Sequence, residues 1–133
     1  MSYKLPANND IARFARELTA GMGARACFDM ITKWISRNIA YDYVKAAKVA
    51  KVTGINPDPV ACWVTHRGIC QDIAALTVIM LRAAGIRCYL CIGHAGSSYH
   101  AWVQAYVGKD ILRYDHDNPT GKPIKYCVEK VIY

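Results

Sequence analysis

Cys70 has the sequence setting of a nucleophilic thiol. It follows Gly68 and Ile69 and opens the most apolar segment of the chain, which is predicted to be a helix. The free N–H groups and the dipole of a helix N-terminus stabilise an anion, so a thiolate is favoured there. Gly68 would let the backbone turn tightly into the helix. A buried, inert cysteine at the start of a core helix is the alternative, and the position alone favours neither.

His100 is the second residue that could do chemistry, because an imidazole can take a proton from a thiol and return it. It begins a predicted strand over residues 100–107. Alternation along that strand puts alanine and valine on one face and His100, Trp102 and Gln104 on the other. A lone histidine on a strand is more often structural, so its neighbours must decide its role.

Asp115 and Asp117 are the carboxylates that could orient this imidazole. If residues 108–109 form a two-residue hairpin turn, counting outward places Asp117 opposite His100 and Asp115 diagonal to it. Both would share the face of His100, whereas a slip of one residue would send both to the other face. With Cys70, these groups make up the set required for a nucleophile, a base and a base-orienting group.

The elements that must position these groups follow from the hydrophobic pattern. Helices are predicted over residues 11–18, 27–38, 43–51 and 71–84, and strands over residues 87–92, 100–107, 111–115 and 126–133. Asn8 can cap the first helix, and Asp29 with Lys33 can form an i,i+4 pair on the second. Helices followed by strands predict an α+β fold, in which N-terminal helices and a buried central helix pack on an antiparallel sheet of about four strands.

The composition limits the class of protein. The chain has 133 residues, 53% of them hydrophobic, which predicts one globular domain over residues 1–133 and excludes a disordered chain. Its longest apolar run, residues 73–81, is too short to span a membrane. No basic segment followed by an apolar stretch opens the chain. A cytoplasmic location is therefore expected if Met1 is the native start, and a secreted or cell-surface location if a leader was removed.

The net charge of +7 is modest evidence for an anionic partner. Lys45, Lys48 and Lys51 recur at every third position and would form one cationic edge, although a solvated surface is the commoner explanation of such a run. Basic runs interleaved with aromatic residues and zinc-finger spacings are both missing from the sequence, so a nucleic-acid partner is not expected.

The six cysteines predict neither a disulfide framework nor a metal site. Four of them, at positions 27, 88, 91 and 127, lie in apolar stretches where a reduced thiol behaves as a small hydrophobe. Cys88 and Cys91 are three residues apart on one strand and would point to opposite faces, which prevents joint chelation. His94, His66 and Cys62 do not complete a ligand set, so no metal or cofactor is predicted.

Five segments together resemble the core of the transglutaminase-like superfamily in its bacterial single-domain form. The segments are Trp34–Asp42, Gly68–Ala74, Met80–Ile86, Tyr99–Trp102 and Tyr114–Asp115. The resemblance spans about Asn9 to Asp117 and implies a papain/transglutaminase-like core. It also implies cysteine-dependent acyl transfer at an amide or peptide carbonyl of a protein or peptide substrate, by a protease, an amidase or a transglutaminase, with hydrolysis slightly favoured.

The resemblance further implies a role for each site residue. Cys70 would be the nucleophile, His100 the general base and acid, and Asp115 the orienting carboxylate, with Asp117 as the alternative. The backbone N–H of Cys70 would be one oxyanion donor, with Trp34 or Trp63 as a guess for the second. The competing hypothesis is a catalytically inactive module that keeps the fold and binds an anionic cell-surface partner through its basic face.

Overall fold

A computed structural model describes residues 8–49, 56–96, 98–118 and 124–132 of the chain. The helices are α1 (Asn9–Leu18), α2 (Ala24–Asn38), α3 (Tyr43–Val49), α4 (Pro59–Thr65) and α5 (Cys70–Ala83). The strands are β1 (Ala40–Tyr41), β2 (Arg67–Gly68), β3 (Arg87–Ala95), β4 (Ser98–Val107), β5 (Asp110–Tyr114) and β6 (Tyr126–Ile132). The long helices precede the four long strands, and the predicted α+β fold is confirmed.

The central helix α5 is buried on nearly every side. All residues from 72 to 81 are buried, and the one hydroxyl among them, on Thr77, donates to the carbonyl of Ile73 at 2.7 Å. The helices α1, α2 and α4 pack around α5, and strands β3 and β4 pack against it. Gly85 has φ of 85°, a left-handed conformation that suits glycine after a helix end. The predicted buried helix is therefore confirmed.

The four long strands form one antiparallel sheet in the order β5-β4-β3-β6. Val107 pairs with Asp110 across the predicted hairpin turn, and Gly108 has φ of 60°. Ala101, Val103 and Ala105 on one face of β4 are buried, and Trp102 on the other face is buried too. The pairing between β4 and β5 ends at Val103 and Tyr114, and residues 115–118 form a turn closed by a 2.9 Å bond from the Asn118 N–H to the Asp115 carbonyl.

Two local features were not predicted. Helix α4 is short and half-exposed, and β1 and β2 form a two-residue parallel pair in which Tyr41 lies opposite Gly68. Elements of this length leave no periodic pattern to read. The predicted Asp29–Lys33 pair is wrong, since Asp29 accepts from Arg25, its i,i+4 neighbour on the other side, at 3.3 Å.

The start of α1 gives a simple test of a predicted cap. The Asn8 side chain accepts the N–H of Ile11 at 3.0 Å. Replacing Asn8 with alanine removes that acceptor and is expected to lower the free energy of unfolding by about 1 kcal/mol. Urea denaturation followed by circular dichroism measures this change. Glycine at the same position should cost only a few tenths of a kcal/mol, so an equal loss in both variants would contradict the capping role.

In the part of the chain that the structure describes, no helix combines the length and the apolar character needed to cross a membrane.

Candidate active site

Cys70 is the first residue of α5 and is half-buried. The segment before it is tightly packed. A Cβ added at Gly68 would lie 2.9 Å from the Asp72 Cβ and 3.0 Å from the Cys62 Sγ. Glycine is therefore favoured at this position because a side chain would not fit. The predicted reason, a tight turn, does not apply, since the φ of Gly68 is not positive.

Asp72 fixes the segment that carries Cys70. Its carboxylate is 1% exposed and accepts the N–H of Ile69 at 3.0 Å and the N–H of Asp58 at 2.8 Å. The Lys45 Nζ lies 2.7 Å from the same carboxylate. A negative charge in the first turn of a helix interacts favourably with the helix dipole, and here the carboxylate also ties together α3, α4 and α5.

His100 and Asp115 form a short hydrogen bond. The Nε2 of His100 lies 2.7 Å from the Oδ1 of Asp115, and both side chains are nearly buried. Asp115 also accepts the N–H of Asp117 at 3.0 Å and the hydroxyl of Tyr126 at 2.9 Å. Nε2 is thereby occupied, so Nδ1 is the ring nitrogen left for another partner.

Cys70 is near enough to His100 to affect its pKa. Burial lowers the pKa of His100, but the bond to Asp115, the interaction with Cys70 and the negative charges of both outweigh it and raise the pKa to about 10. Burial raises the pKa of Asp115, yet the bonds to His100, Tyr126 and the Asp117 N–H bring it below its ordinary value. The protonated form of the imidazole is therefore favoured beside the Asp115 carboxylate.

Asp117, the alternative orienting carboxylate, is placed differently. Its Oδ2 lies 3.7 Å from the His100 Nε2, and its side chain is 53% exposed. The β5 strand ends before it, so the straight register that put Asp117 opposite His100 is not reached. Asp115 is the closer carboxylate because the turn after Tyr114 brings its Oδ1 to the His100 Nε2.

One group of potential metal ligands occurs among the described residues, and it consists of His100, Asp115 and Asp117, with ligand atoms within 4.8 Å of one another. The Nε2 of His100 is already hydrogen bonded to Asp115, and a metal would have to break that bond. The arrangement fits an imidazole–carboxylate pair better than a metal site.

Tyr41 lies beside this site and was not singled out from the sequence. Burial, followed by the negative charges of Cys70 and Asp117, raises its pKa to about 12, so its hydroxyl keeps its proton. The pairing of β1 with β2 places Tyr41 opposite Gly68, two residues before Cys70. The one feature of the sequence that could have indicated Tyr41 is its place in the segment 34–42, which carries part of the family resemblance. The rings of Trp34 and Trp63 instead pack against that of Phe14, with ring centroids 4.9 and 5.1 Å apart, which indicates a packing role for both.

The predicted cationic edge does not form as expected. Lys45 is bound to the buried Asp72, so its charge is already compensated. Lys48 is exposed on α3, and Lys51 lies outside the described residues. Lys45 and Lys48 both lie on α3, but the contact with Asp72 leaves Lys45 only partly exposed.

All six cysteines are free, and their environments differ. Burial raises the pKa of Cys62 and of Cys88 to about 12 and that of Cys91 to about 11. These three thiols stay protonated and are buried, which was predicted for Cys88 and Cys91 but not for Cys62. Cys127 is exposed on β6, so the expectation that it is buried in an apolar stretch is wrong.

The fold of this chain is similar to that of several solved structures. The chain resembles a candidate cysteine protease of Cytophaga hutchinsonii with a TM-score of 0.66 and 18% identity, over 90% of this chain and 40% of that one. A candidate protease of Parabacteroides distasonis matches with a TM-score of 0.64 and 21% identity, over 78% of this chain and 22% of that one. The periplasmic domain of TgpA from Pseudomonas aeruginosa matches with a TM-score of 0.59 and 18% identity, over 90% of this chain and 46% of that one.

This chain spans less than half the length of each of those structures. No curated protein matches it in sequence. The model of the transglutaminase-like superfamily matches residues 12–117, which contain Cys70, His100 and Asp115. The chain belongs to the transglutaminase-like superfamily.

Proposed function

We propose that this protein is a cysteine-dependent acyl-transfer enzyme that acts on an amide or peptide carbonyl of a protein or peptide substrate. The observation that carries the proposal is the position of His100, whose Nε2 lies 2.7 Å from Asp115 and whose pKa is raised by the nearby Cys70. A nucleophile, a base and an orienting group in this order are what acyl transfer by a thiol requires.

The first half of the reaction forms an acyl-enzyme. The Sγ of Cys70, as thiolate, bonds to the carbonyl carbon, and the C–N bond breaks as the His100 imidazolium gives its proton to the leaving nitrogen. The Cys70 N–H, at the start of α5, is the first donor for the oxyanion. We propose Tyr41 as the second donor, because its hydroxyl keeps its proton and it is near enough to Cys70 for the charge of Cys70 to affect its pKa.

The second half releases the acyl group. A water molecule, or an amine in a transamidation, gives a proton to His100 and attacks the thioester carbonyl, and the thiolate leaves. Cys70 is partly open to solvent, which gives water a path to the thioester. We therefore expect hydrolysis to dominate, and a primary amine added to the assay to compete with it.

The direct test is the rate at which iodoacetamide alkylates Cys70, measured by mass spectrometry of the labelled peptide. In the wild type, measured at pH 6, His100 should accept the proton of the Cys70 thiol and so speed its alkylation. Replacing His100 with alanine should lower the alkylation rate at that pH at least about tenfold, because an unassisted thiol ionises near pH 8.5. Cys127, exposed on β6, is the internal reference and should react at the same rate in both proteins.

The pKa of His100 also fixes the direction of the pH dependence. Because it is raised to about 10, the imidazolium persists through neutral pH and loses its proton as the pH rises through about 10. Acyl transfer should therefore fall on that alkaline side, where the leaving group no longer receives a proton. A Cys70 rate that is identical in wild type and variant at every pH would sink the proposal.

A further inference from the structure

The hydroxyl of Tyr126 completes the hydrogen bonding of Asp115. It donates to Oδ2 at 2.9 Å, while Oδ1 takes the His100 Nε2 at 2.7 Å and the Asp117 N–H at 3.0 Å. Asp115 is 4% exposed, so water does not supply these bonds. Each carboxylate oxygen thus has its own donors, and Oδ2 depends on Tyr126.

An irregularity in the sheet places Tyr126 on the side of His100. The β3–β6 pairing changes register between Ile92 and Gly93, so that Glu129 is an extra residue of β6, a β-bulge. Beyond the bulge, Tyr126 lies opposite Ala95 and shares the face of β3 that carries Gly93, the partner of His100. Without the extra residue, the register would send Tyr126 to the opposite face.

Gly93 makes this bulge possible. A Cβ added there would collide with the Cys127 carbonyl oxygen, and it would also lie 2.9 Å from the Glu129 backbone nitrogen. The backbone of β6 therefore approaches β3 as closely as only glycine allows. Gly93 thus affects the neighbouring strand, because the path of β6 at this point determines the position of Tyr126.

The ring of Tyr126 is held from two sides. Its centroid lies 4.9 Å from that of Trp102, which is fully buried, in an edge-on arrangement. The guanidinium carbon of Arg113 lies 3.8 Å from the ring centroid, a cation–π distance. The ring crosses the sheet face from β6 towards β5, so its hydroxyl is presented to Asp115 in one fixed place.

Tyr126 lies beyond residue 117, where the family model ends. We propose that Tyr126 is a positioning residue of the active site, which holds Asp115 in the orientation that pairs with His100. This inference rests on the proposed function. The bond at Oδ2 favours the ionised carboxylate and stops it from rotating away from the imidazole. Strand β6 is thereby part of the catalytic apparatus and not only an edge of the sheet.

The test is Tyr126→Phe in the full chain, with p-nitrophenyl acetate as the acyl donor. The variant keeps the ring between Trp102 and Arg113 and removes only the hydroxyl. We expect the acylation rate constant to fall about tenfold, the size typical for a lost bond to a charged group, with KM nearly unchanged. The acid side of the pH–rate profile should move to higher pH, because Asp115 loses a bond that favours its ionised form.

Tyr106→Phe is the matched control. Its hydroxyl accepts from Gln104 at 2.9 Å on the same face of the sheet, away from Asp115. This variant should keep the wild-type rate and pH profile. Gly93→Ala is the second variant and should reproduce the defect of Tyr126→Phe with the hydroxyl intact. Unfolding curves for each protein allow rates to be expressed per folded molecule.

The outcomes separate the two proposals. A Tyr126→Phe protein with the wild-type rate and pH profile overturns the positioning role, whatever Gly93→Ala does. If His100→Ala leaves the Cys70 reaction with iodoacetamide unchanged, the proposed function itself fails. A rate that depends on His100 but not on Tyr126 keeps the function and removes this inference.

Discussion

Replacing Asp115 with alanine is expected to lower the rate of Cys70 acylation by p-nitrophenyl acetate about 10³-fold or more, the scale seen when the orienting acid of a triad is removed. The change leaves the His100 Nε2 without its 2.7 Å partner and removes the acceptor that holds the ring. His100 would then lose both its fixed orientation and part of the cause of its raised pKa. Stopped-flow release of p-nitrophenolate measures the rate.

Asp117→Ala is the matched control for this prediction. Asp117 has the same chemistry and lies two residues away, but its oxygen is 3.7 Å from the His100 Nε2 and its side chain is largely exposed. Its replacement should change the rate no more than about threefold, because an exposed charge pair contributes little. Equal losses in the two variants, or a larger loss for Asp117, would contradict Asp115 as the orienting group.

Replacing Asp72 with alanine is expected to lower the free energy of unfolding by about 3 kcal/mol, the lower end for a broken buried ion pair. The carboxylate is 1% exposed, and its removal leaves the N–H groups of Ile69 and Asp58 without their acceptor. Lys45 is itself partly exposed and can be rehydrated, which limits the cost. Urea unfolding followed by tryptophan fluorescence measures the change.

The control for Asp72 is Asp10→Ala. Asp10 also pairs with a cation, Arg13 at 2.9 Å, but both side chains are largely exposed. That loss should cost less than about 0.5 kcal/mol. Should Asp72→Ala prove as mild as Asp10→Ala, the buried carboxylate would not be what ties α3 and the α4 start to the N-terminus of α5. A folded Asp72→Ala protein should also acylate Cys70 more slowly, because Ile69, next to the thiol, loses its anchor.

The sequence by itself determined the long helices and strands and indicated which residues could react. The segment that begins at Cys70 was identified as a buried helix, because it is apolar on nearly every side and longer than a strand usually is. The turn at Gly108 set the register of β5 against β4 by counting, and that register brought Asp115 and His100 to one face. These were local rules of period and turn geometry, and they needed no tertiary information.

The choice between the two aspartates was made by tertiary structure. Counting placed Asp117 opposite His100 and Asp115 on the diagonal, and both were in reach. Strand β5 stops at Tyr114, and the turn that follows brings the Asp115 carboxylate to the imidazole and leaves Asp117 in solvent. A strand ends where its neighbour can no longer pair with it, and no residue type near Tyr114 indicates that β5 ends there.

Long-range contacts decided the other surprises for the same reason. Lys45 reads as one member of a cationic helix face, but Asp72, 27 positions later, draws it inward. From the sequence, Tyr126 is the first residue of a predicted strand. The bulge at Glu129, which the missing side chain of Gly93 allows, places it on the face of the sheet where it can reach Asp115. Period and turn chemistry are properties of neighbouring residues, whereas a buried charge or a bulge depends on what the chain brings together from a distance.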